Sequence, residues 1–317
     1  MSDSHGLAAE RRAALAPSAS PRRLAWRRFL RHPAALPSLA LLLLLTLGAL
    51  AAPLVEQMLG VDATRADLLG RYEVPSAGHP LGKDELGRDL LVRLLYGGRI
   101  SLAVGLAAAL AAMVIGSLLG LLAGYFGGRL DALLMRLADT VIALPLLPLL
   151  IVLAAVDLTK LGLPESAARS EMASFWQIVI LISLFGWTTV ARLVRGAVMS
   201  LKRREFVRAA EALGAGPWRI MLRHLLPNAV SPILVATTLS IGNVILLESV
   251  LSFLGLGIQP PLPSWGNMLS GAQETLWAAP RLAVLPGLLI FVTVIAFNFL
   301  GDSLQDALDP RASLTQR

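Results

Sequence analysis

Few side chains in this sequence have the type and spacing needed for covalent chemistry. Cysteine is absent, the Lys residues are Lys83, Lys160 and Lys202, and the four His (His5, His32, His79, His224) are scattered. The single Gly-Lys pair, Gly82–Lys83, is followed by Asp84 and has no glycine five residues earlier, so no phosphate-cradling loop forms. No His-Glu-x-x-His pair or hydroxyl triad arises either, and no catalytic residue is expected. Asp84, Glu85 and Asp89 lie close together but lack the alternating oxygen ligands and terminal Glu of a calcium loop, so no metal is expected. The chemistry that is left is recognition, and it concentrates in one polar island between apolar runs, residues 202–227.

Within that island Phe206, Ala209 with Ala210, and Leu213 recur at helical spacing, while Arg203, Arg204, Arg208 and Glu211 fall largely on other faces. Gly214 suits the left-handed residue that ends a helix, Gly216 a cap, and Pro217 the first turn of a second helix with apolar positions Trp218, Met221 with Leu222, and Leu225. The spacing therefore predicts helix, sharp turn, helix, after which Pro227 and Asn228 begin the next apolar run. Small side chains at Ala209, Ala210, Ala212 and Ala215 admit a close approach by another backbone. Two readings stand: a handle offered to something in water, or a linker lying on a surface with its charged face outward.

The rest of the chain must hold that island in a bilayer. Hydrophobic residues make up 56%, charged residues 15%, and mean hydropathy is +0.68, which with several apolar runs near twenty residues predicts an all-α polytopic membrane protein. Six spans are expected at about 36–55, 100–126, 138–156, 176–194, 229–251 and 282–300, within a transmembrane region 34–305 flanked by a basic segment 1–33 and a tail 306–317. The first run also resembles a secretory signal with a cleavage region at 47–52, but its long leader and the five further runs favour a retained span. Nineteen of the 28 Lys and Arg fall in the termini and in the connectors that share their side, which predicts both termini and the 202–227 island on the cytoplasmic face. The net charge of +7 thus needs no nucleic acid, although the basic leader is suited to anionic lipid.

Inside the spans, Gly116, Gly120 and Gly124 repeat every four residues and predict a face on which another helix packs directly. Pro145 and Pro148 predict a kink whose freed backbone groups face the bundle interior or a wet cavity. Ionisable groups near the midplane, which ion-coupled carriers usually need, are not evident. Asn243 and Glu248 are candidates for a translocation path, Glu248 equally for a structural hydrogen bond. Asp89 is placed to cap a short helix with Leu90, Leu91, Leu94 and Leu95 on one side, expected to lie along the outer interface. The apolar connector around Trp265 reads as a half-buried gate, a docking surface, or an interfacial Trp anchor.

Arg-Ala-Ala-Glu-Ala-Leu-Gly-Ala at 208–215, with Ile-Met-Leu-Arg-His-Leu-Leu-Pro-Asn at 220–228, resembles the cytoplasmic coupling (EAA) loop of bacterial ABC importer permeases. Arg208 stands where that loop often has its first Glu. His-Pro-Leu-Gly-Lys-Asp-Glu-Leu-Gly-Arg-Asp (79–89), Tyr-Gly-Gly-Arg-Ile-Ser-Leu (96–102), and the segments 248–257, 263–269 and 298–311 are similar to the second permease type of the dipeptide/oligopeptide/nickel subfamily. The resemblance implies a type I importer permease fold in a bacterial inner membrane. It also implies a homologous permease, two ATPase subunits that carry the ATP and Mg, and an extracytoplasmic solute-binding protein as partners. It assigns Arg204, Arg208, Ala209, Ala210, Glu211, Leu213, Gly214, Ala215 and Trp218 to ATPase coupling, and places Trp265 on the binding-protein side. Peptides lead among the solutes implied, ahead of nickel complexes and glutathione. An ion-coupled carrier and a membrane-embedded enzyme are the alternative classes.

Overall fold

The structure is a computed structural model that describes residues 21–168 and 170–308. Most of the leader 1–33, with His5, and most of the tail 306–317 lie outside the described residues, as does Arg169. Among those described the chain is helical, and its only β pairing is a single bridge between Lys83 and Asp89. In chain order the helices are α1 (Pro21–Arg31), α2 (Ala35–Leu50), α3 (Ala52–Leu59), α4 (Leu90–Phe126), α5 (Gly128–Ala143), α6 (Leu146–Ala154) and α7 (Glu165–Ala168). They continue as α8 (Ala173–Leu201), α9 (Glu205–Ala212), α10 (Pro217–Ile220), α11 (Leu226–Phe253), α12 (Ala272–Thr275) and α13 (Arg281–Leu308), with a π turn Met221–Leu225 joining α10 to α11. Four stretches, Leu90–Phe126, Ala173–Leu201, Pro217–Phe253 and Arg281–Leu308, are long and apolar enough to cross a membrane. Two bent pairs, α1 with α2 at 85° and α5 with α6 at 84°, bring the count to six if each is one crossing.

The closest pairing is α4 on α8, and the glycine repeat is its cause. A Cβ added at Gly116 would lie 2.5 Å from the Trp187 carbonyl oxygen, at Gly120 2.5 Å from that of Ala191, and at Gly124 2.8 Å from Val198 Cβ. Only hydrogen fits at these three positions, so the two backbones approach without intervening side chains. Helix α11 then packs against α4, α8 and α13, burying Ile241, Val244, Ile245 and Leu251 in a core shared with Val104, Ile178 and Ile182.

Several boundaries differ from the sequence reading for identifiable reasons. No separate interfacial helix precedes the second span: Asp89 does cap, accepting from Val92 N at 2.8 Å, but the helix it starts is α4 itself, 37 residues long. At 1.5 Å per residue this is about 55 Å, well beyond a hydrocarbon core of about 30 Å, so α4 projects outside the bilayer. Gly97 and Gly98 do not break it because Trp265 packs over both, and Leu90 and Leu94 are buried beside Trp265, Leu282 and Ile290. The first apolar run divides at Ala51, where Pro53 in the first turn of α3 has no N–H for the Ala49 carbonyl. The expected kink in the third span is a full turn: Leu144, preceding Pro145, adopts an extended conformation (φ −76°, ψ 139°), and α5 and α6 leave it in different directions. Helix α13 runs on through Leu308, past the boundary drawn at 305, and its last turns meet α1 through Ser303 Oγ and His32 Nδ1 at 2.8 Å.

Replacing Gly120 by Leu is expected to separate α4 from α8 and lower stability by about 1–3 kcal/mol or more, as overpacked cores do. Gly196→Ala, where a Cβ meets nothing within 4 Å, is expected to be neutral or slightly stabilising. Thermal unfolding of the two variants in the same detergent checks the contrast.

Candidate functional site

The 202–227 island is a hairpin at the end of a rod. Helix α9 ends in a Schellman arrangement: Ala215 N–H reaches the Ala210 carbonyl (3.0 Å), Gly214 N–H reaches that of Glu211 (2.9 Å), and Gly214 takes φ +79°. A Cβ at Gly214 meets no atom within 4 Å, so the glycine serves the turn's left-handed backbone and not a contact within this chain. The second helix is not free-standing. Leu226 N–H bonds to the Met221 carbonyl across the π turn, Pro227 supplies no donor, and Asn228 Nδ2 donates to the His224 carbonyl at 2.6 Å. Pro217 to Phe253 therefore forms one continuous element of 37 residues.

Helix α9 has two apolar faces where its periodicity had suggested one. Val207 and Ala210 are buried, Val207 in a cluster with Ile220, Met221, Leu225 and Val198. Phe206 (41% exposed), Leu213 (88%) and Trp218 (61%) face outward, uncovered, among the exposed Arg204, Arg208, Ala209 and Glu211. Ala210 was expected to admit a partner; it is buried against its own chain and cannot, and Ala215 is half-buried. Val207, missed because a single valine between Phe206 and Arg208 breaks no pattern, is the anchor of the inner face. Lys202 fastens the hairpin's root: its Nζ donates to the Tyr125 carbonyl at the end of α4 (2.6 Å) and sits 4.9 Å from the Tyr125 ring centre.

Higher on the same rod, α11 borders a cavity of about 310 Å³ at the turn between α5 and α6. Its polar lining is Thr188, Thr189, Ser240 and Asn243, and no ionisable side chain faces it. The hydroxyls of Thr188 and Ser240 donate to the Phe185 and Ala236 carbonyls, so their protons are already engaged by the backbone. Pro148 has no N–H for the Leu144 carbonyl, which lies at the cavity wall. The arrangement can hydrogen-bond an uncharged polar solute and offers no counter-ion.

Glu248, grouped with Asn243 by sequence, is not in that cavity. It is fully buried (0% exposed), accepting from Ser252 Oγ at 2.7 Å and Ser101 Oγ at 3.3 Å. Trp265 is 2% exposed, its indole N–H bonded to the Leu94 carbonyl at 2.9 Å, so its ring is packing and neither an interfacial anchor nor a surface for a docking protein. Asp131 pairs with Arg195 and Asp139 with Arg192, joining α5 to α8.

The loop before α4 is held by charge. Asp84 engages Arg88 (2.8 Å) and Arg93 (3.2 Å), and Asp89 meets His79 (2.9 Å). Lys83 Nζ lies 2.8 Å from Glu73 and 3.0 Å from Asp67, while Arg281 donates to the Tyr72 and Glu73 carbonyls. Hydrogen bonds to Glu73 and Asp67 raise the Lys83 pKa, and the bond from Lys83 holds each of those carboxyls below its ordinary value.

Comparison with known proteins agrees with this geometry. Residues 116–314 match the family described as binding-protein-dependent transport system inner membrane component, and residues 20–65 match the N-terminal TM domain of oligopeptide transport permease C. The chain is 43% identical over 294 residues to the glutathione transport system permease protein GsiD of Pectobacterium atrosepticum, covering 92% of each chain. It is 42% identical over 285 residues to the oligopeptide transport system permease protein OppC of Escherichia coli K12, covering 90% of this chain and 89% of that one. An inward-facing structure of the MetNI methionine ABC transporter shares the fold at TM-score 0.53 and 19% identity, over 68% of this chain and 96% of that one. The chain belongs to the binding-protein-dependent transport inner membrane component family, and is a multi-pass inner-membrane permease subunit of an ABC importer.

The loop before α4 yields a pH window. Glu73 and Asp67 bind protons less tightly folded than unfolded, so their contribution is full above about pH 5 and lost as pH falls through their lowered values; that of Lys83 is full below about pH 10 and lost only as pH rises through its raised value. Proteolysis of loop 62–89 in the purified protein is expected to stay flat from about pH 5 to 9 and rise below about pH 4. In Lys83→Met the loop is expected to be cut readily at pH 7.

Proposed function

We propose that the hairpin α9–α10 is the cytoplasmic seat of an ATPase subunit and that the cavity beside Asn243 is this chain's share of the path for a peptide or a similar small solute. ATP and Mg belong to the ATPase pair, a homologous permease supplies the other half of the path, and an extracytoplasmic binding protein delivers the solute. This chain performs no catalysis itself. The observation that carries the reading is the uncovered stripe Phe206–Leu213–Trp218 at one end of a continuous rod whose middle lines the cavity through Ser240 and Asn243.

The physical logic is that of a lever. A 37-residue helix spans about 55 Å, and rigid elements carry displacement between sites when the whole element moves. Closure of the ATPase dimer would push the hairpin, and α11 would carry that motion past the α5–α6 turn. The apolar stripe gives desolvated contact area, and Arg204, Arg208 and Glu211 around it give polar register. The excess of Lys and Arg on the termini and on the connectors of the hairpin's side supports the cytoplasmic placement of both. The solute class follows from the relatives named for oligopeptide and glutathione transport, and the uncharged lining of the cavity is compatible with amide-rich cargo.

Gly214→Val places a β-branched residue at φ +79°, costing on the order of 1–2 kcal/mol in the turn alone. It is expected to leave membrane insertion intact and to cut ATP-dependent uptake at least tenfold in vesicles holding the assembled transporter. Trp218→Ala is expected to weaken co-purification of the ATPase. Normal uptake by the Gly214→Val assembly, or uptake without nucleotide, would overturn the reading.

A further inference from the structure

Glu248 is a carboxyl within the last turns of α11, fully buried, and outside the cavity. Its neighbours form a pattern that packing alone does not require. Ser252 Oγ donates to one carboxyl oxygen (2.7 Å) and accepts from Ile258 N–H (2.9 Å). Ser101 Oγ, on α4, donates to the other oxygen (3.3 Å) and accepts from Trp265 N–H (3.1 Å). Ser264 Oγ, within the connector, accepts from Asn267 N–H at 3.1 Å. Two backbone N–H groups of the connector after α11, those of Ile258 and Trp265, are thus satisfied by hydroxyls whose own protons converge on one carboxyl.

The connector also fits α11 without side-chain padding. A Cβ at Gly257 would fall 2.1 Å from Ser252 Oγ, and one at Gly266 would fall 2.6 Å from Ser249 Cα. Trp265 fills the space over Gly97 and Gly98 of α4. Ile258 and Leu262 close over Leu150, Val244 and Leu251, and Leu247, next to Glu248 in sequence, lines the cavity. The connector therefore lies directly on the last turns of α11, packed there at two glycines and hydrogen-bonded there through Glu248 and its serines.

We infer that Glu248 is a latch: it makes the connector 254–267 move as one body with α11, so that displacement of the hairpin is carried along α11 into the connector. The role asks for a carboxyl because both oxygens must accept. A glutamine amide presents one acceptor and one donor, so it keeps one serine in register and turns a donor against the other. An aliphatic residue leaves two hydroxyl protons without their acceptor in a water-poor site, the costly kind of loss. Glu248 is in these terms a positioning residue for transport. The inference rests on the importer reading for its consequence in transport, but the latch itself is a property of this chain.

The absence of cysteine makes the test direct. In the assembled transporter, Ile258→Cys introduces a thiol at a position 2% exposed, and Gln259→Cys one at an exposed neighbour. With Glu248 in place, a membrane-impermeant maleimide is expected to label position 259 and spare position 258. Glu248→Leu is expected to raise labelling at 258 at least tenfold and to raise ATP hydrolysis in the absence of binding protein several-fold. Glu248→Gln, Ser101→Ala and Ser252→Ala, which barely change volume, are expected to fall between. Position 258 staying protected in Glu248→Leu and in both serine variants, or ATP hydrolysis staying fully dependent on binding protein in all of them, would overturn the latch. Failure of the unaltered assembly to import with ATP would instead sink the importer reading, and the labelling contrast would stand apart from it.

Discussion

The contact on which the rest depends is the seam between α4 and α8, where three glycines let one helix lie on the carbonyls of another. Lipid tails are as apolar as leucine, so helices in a bilayer gain nothing by hiding oil from oil. What holds them is closeness, and closeness needs small residues. That seam turns two of the longest helices into one plate. The plate supplies the wall against which α11 packs, the anchor for Lys202 beneath it, and Ser101 above it. The pairs Asp131–Arg195 and Asp139–Arg192 then fix α5 to the same plate, which places the α5–α6 turn opposite Ser240 and Asn243.

Polar groups in this chain follow the economy of a low-dielectric medium. Along the cavity the lining is neutral and already half satisfied by backbone carbonyls, so a passing solute meets acceptors but no fixed charge. The buried carboxyl of Glu248 is met by hydroxyl donors, and where ion pairs occur in the loop before α4 they are clustered and partly wet. The three regimes occupy separate places in the fold: the cavity and Glu248 lie along α11, and the ion pairs lie in the loop before α4.

Much of this was legible in the sequence because it is local. A four-residue glycine period, Gly214 after a helical octet, and Pro145 with Pro148 each state their geometry within a few positions, and the structure has the glycine seam, the Schellman turn and the bent third span. The motifs around 79–89, 208–228 and 248–257 carried the family as well. What stayed hidden depends on contacts far apart in the chain. Trp265 meets Ser101 across 164 positions and Glu248 meets it across 147, so neither burial could be read from neighbours. The continuity of α4 through Gly97–Gly98 has the same origin, because the residue that covers the two glycines lies in another loop. Helix α9 misled for a subtler reason: its eight residues are strongly amphipathic, but Phe206 beside Val207 and Leu213 just past the helix put apolar side chains on the outward side as well, and periodicity cannot say which of them is inward.

That second face has a consequence for how the subunit lives in a cell. A tryptophan and a leucine standing in water on a short hairpin are the kind of surface that chaperones and proteases detect. Among the described residues nothing covers this face, so a copy without a partner there would display the mark. Surplus chains would thereby be singled out for removal, and the balance between subunits would be set after translation by the same exposed side chains.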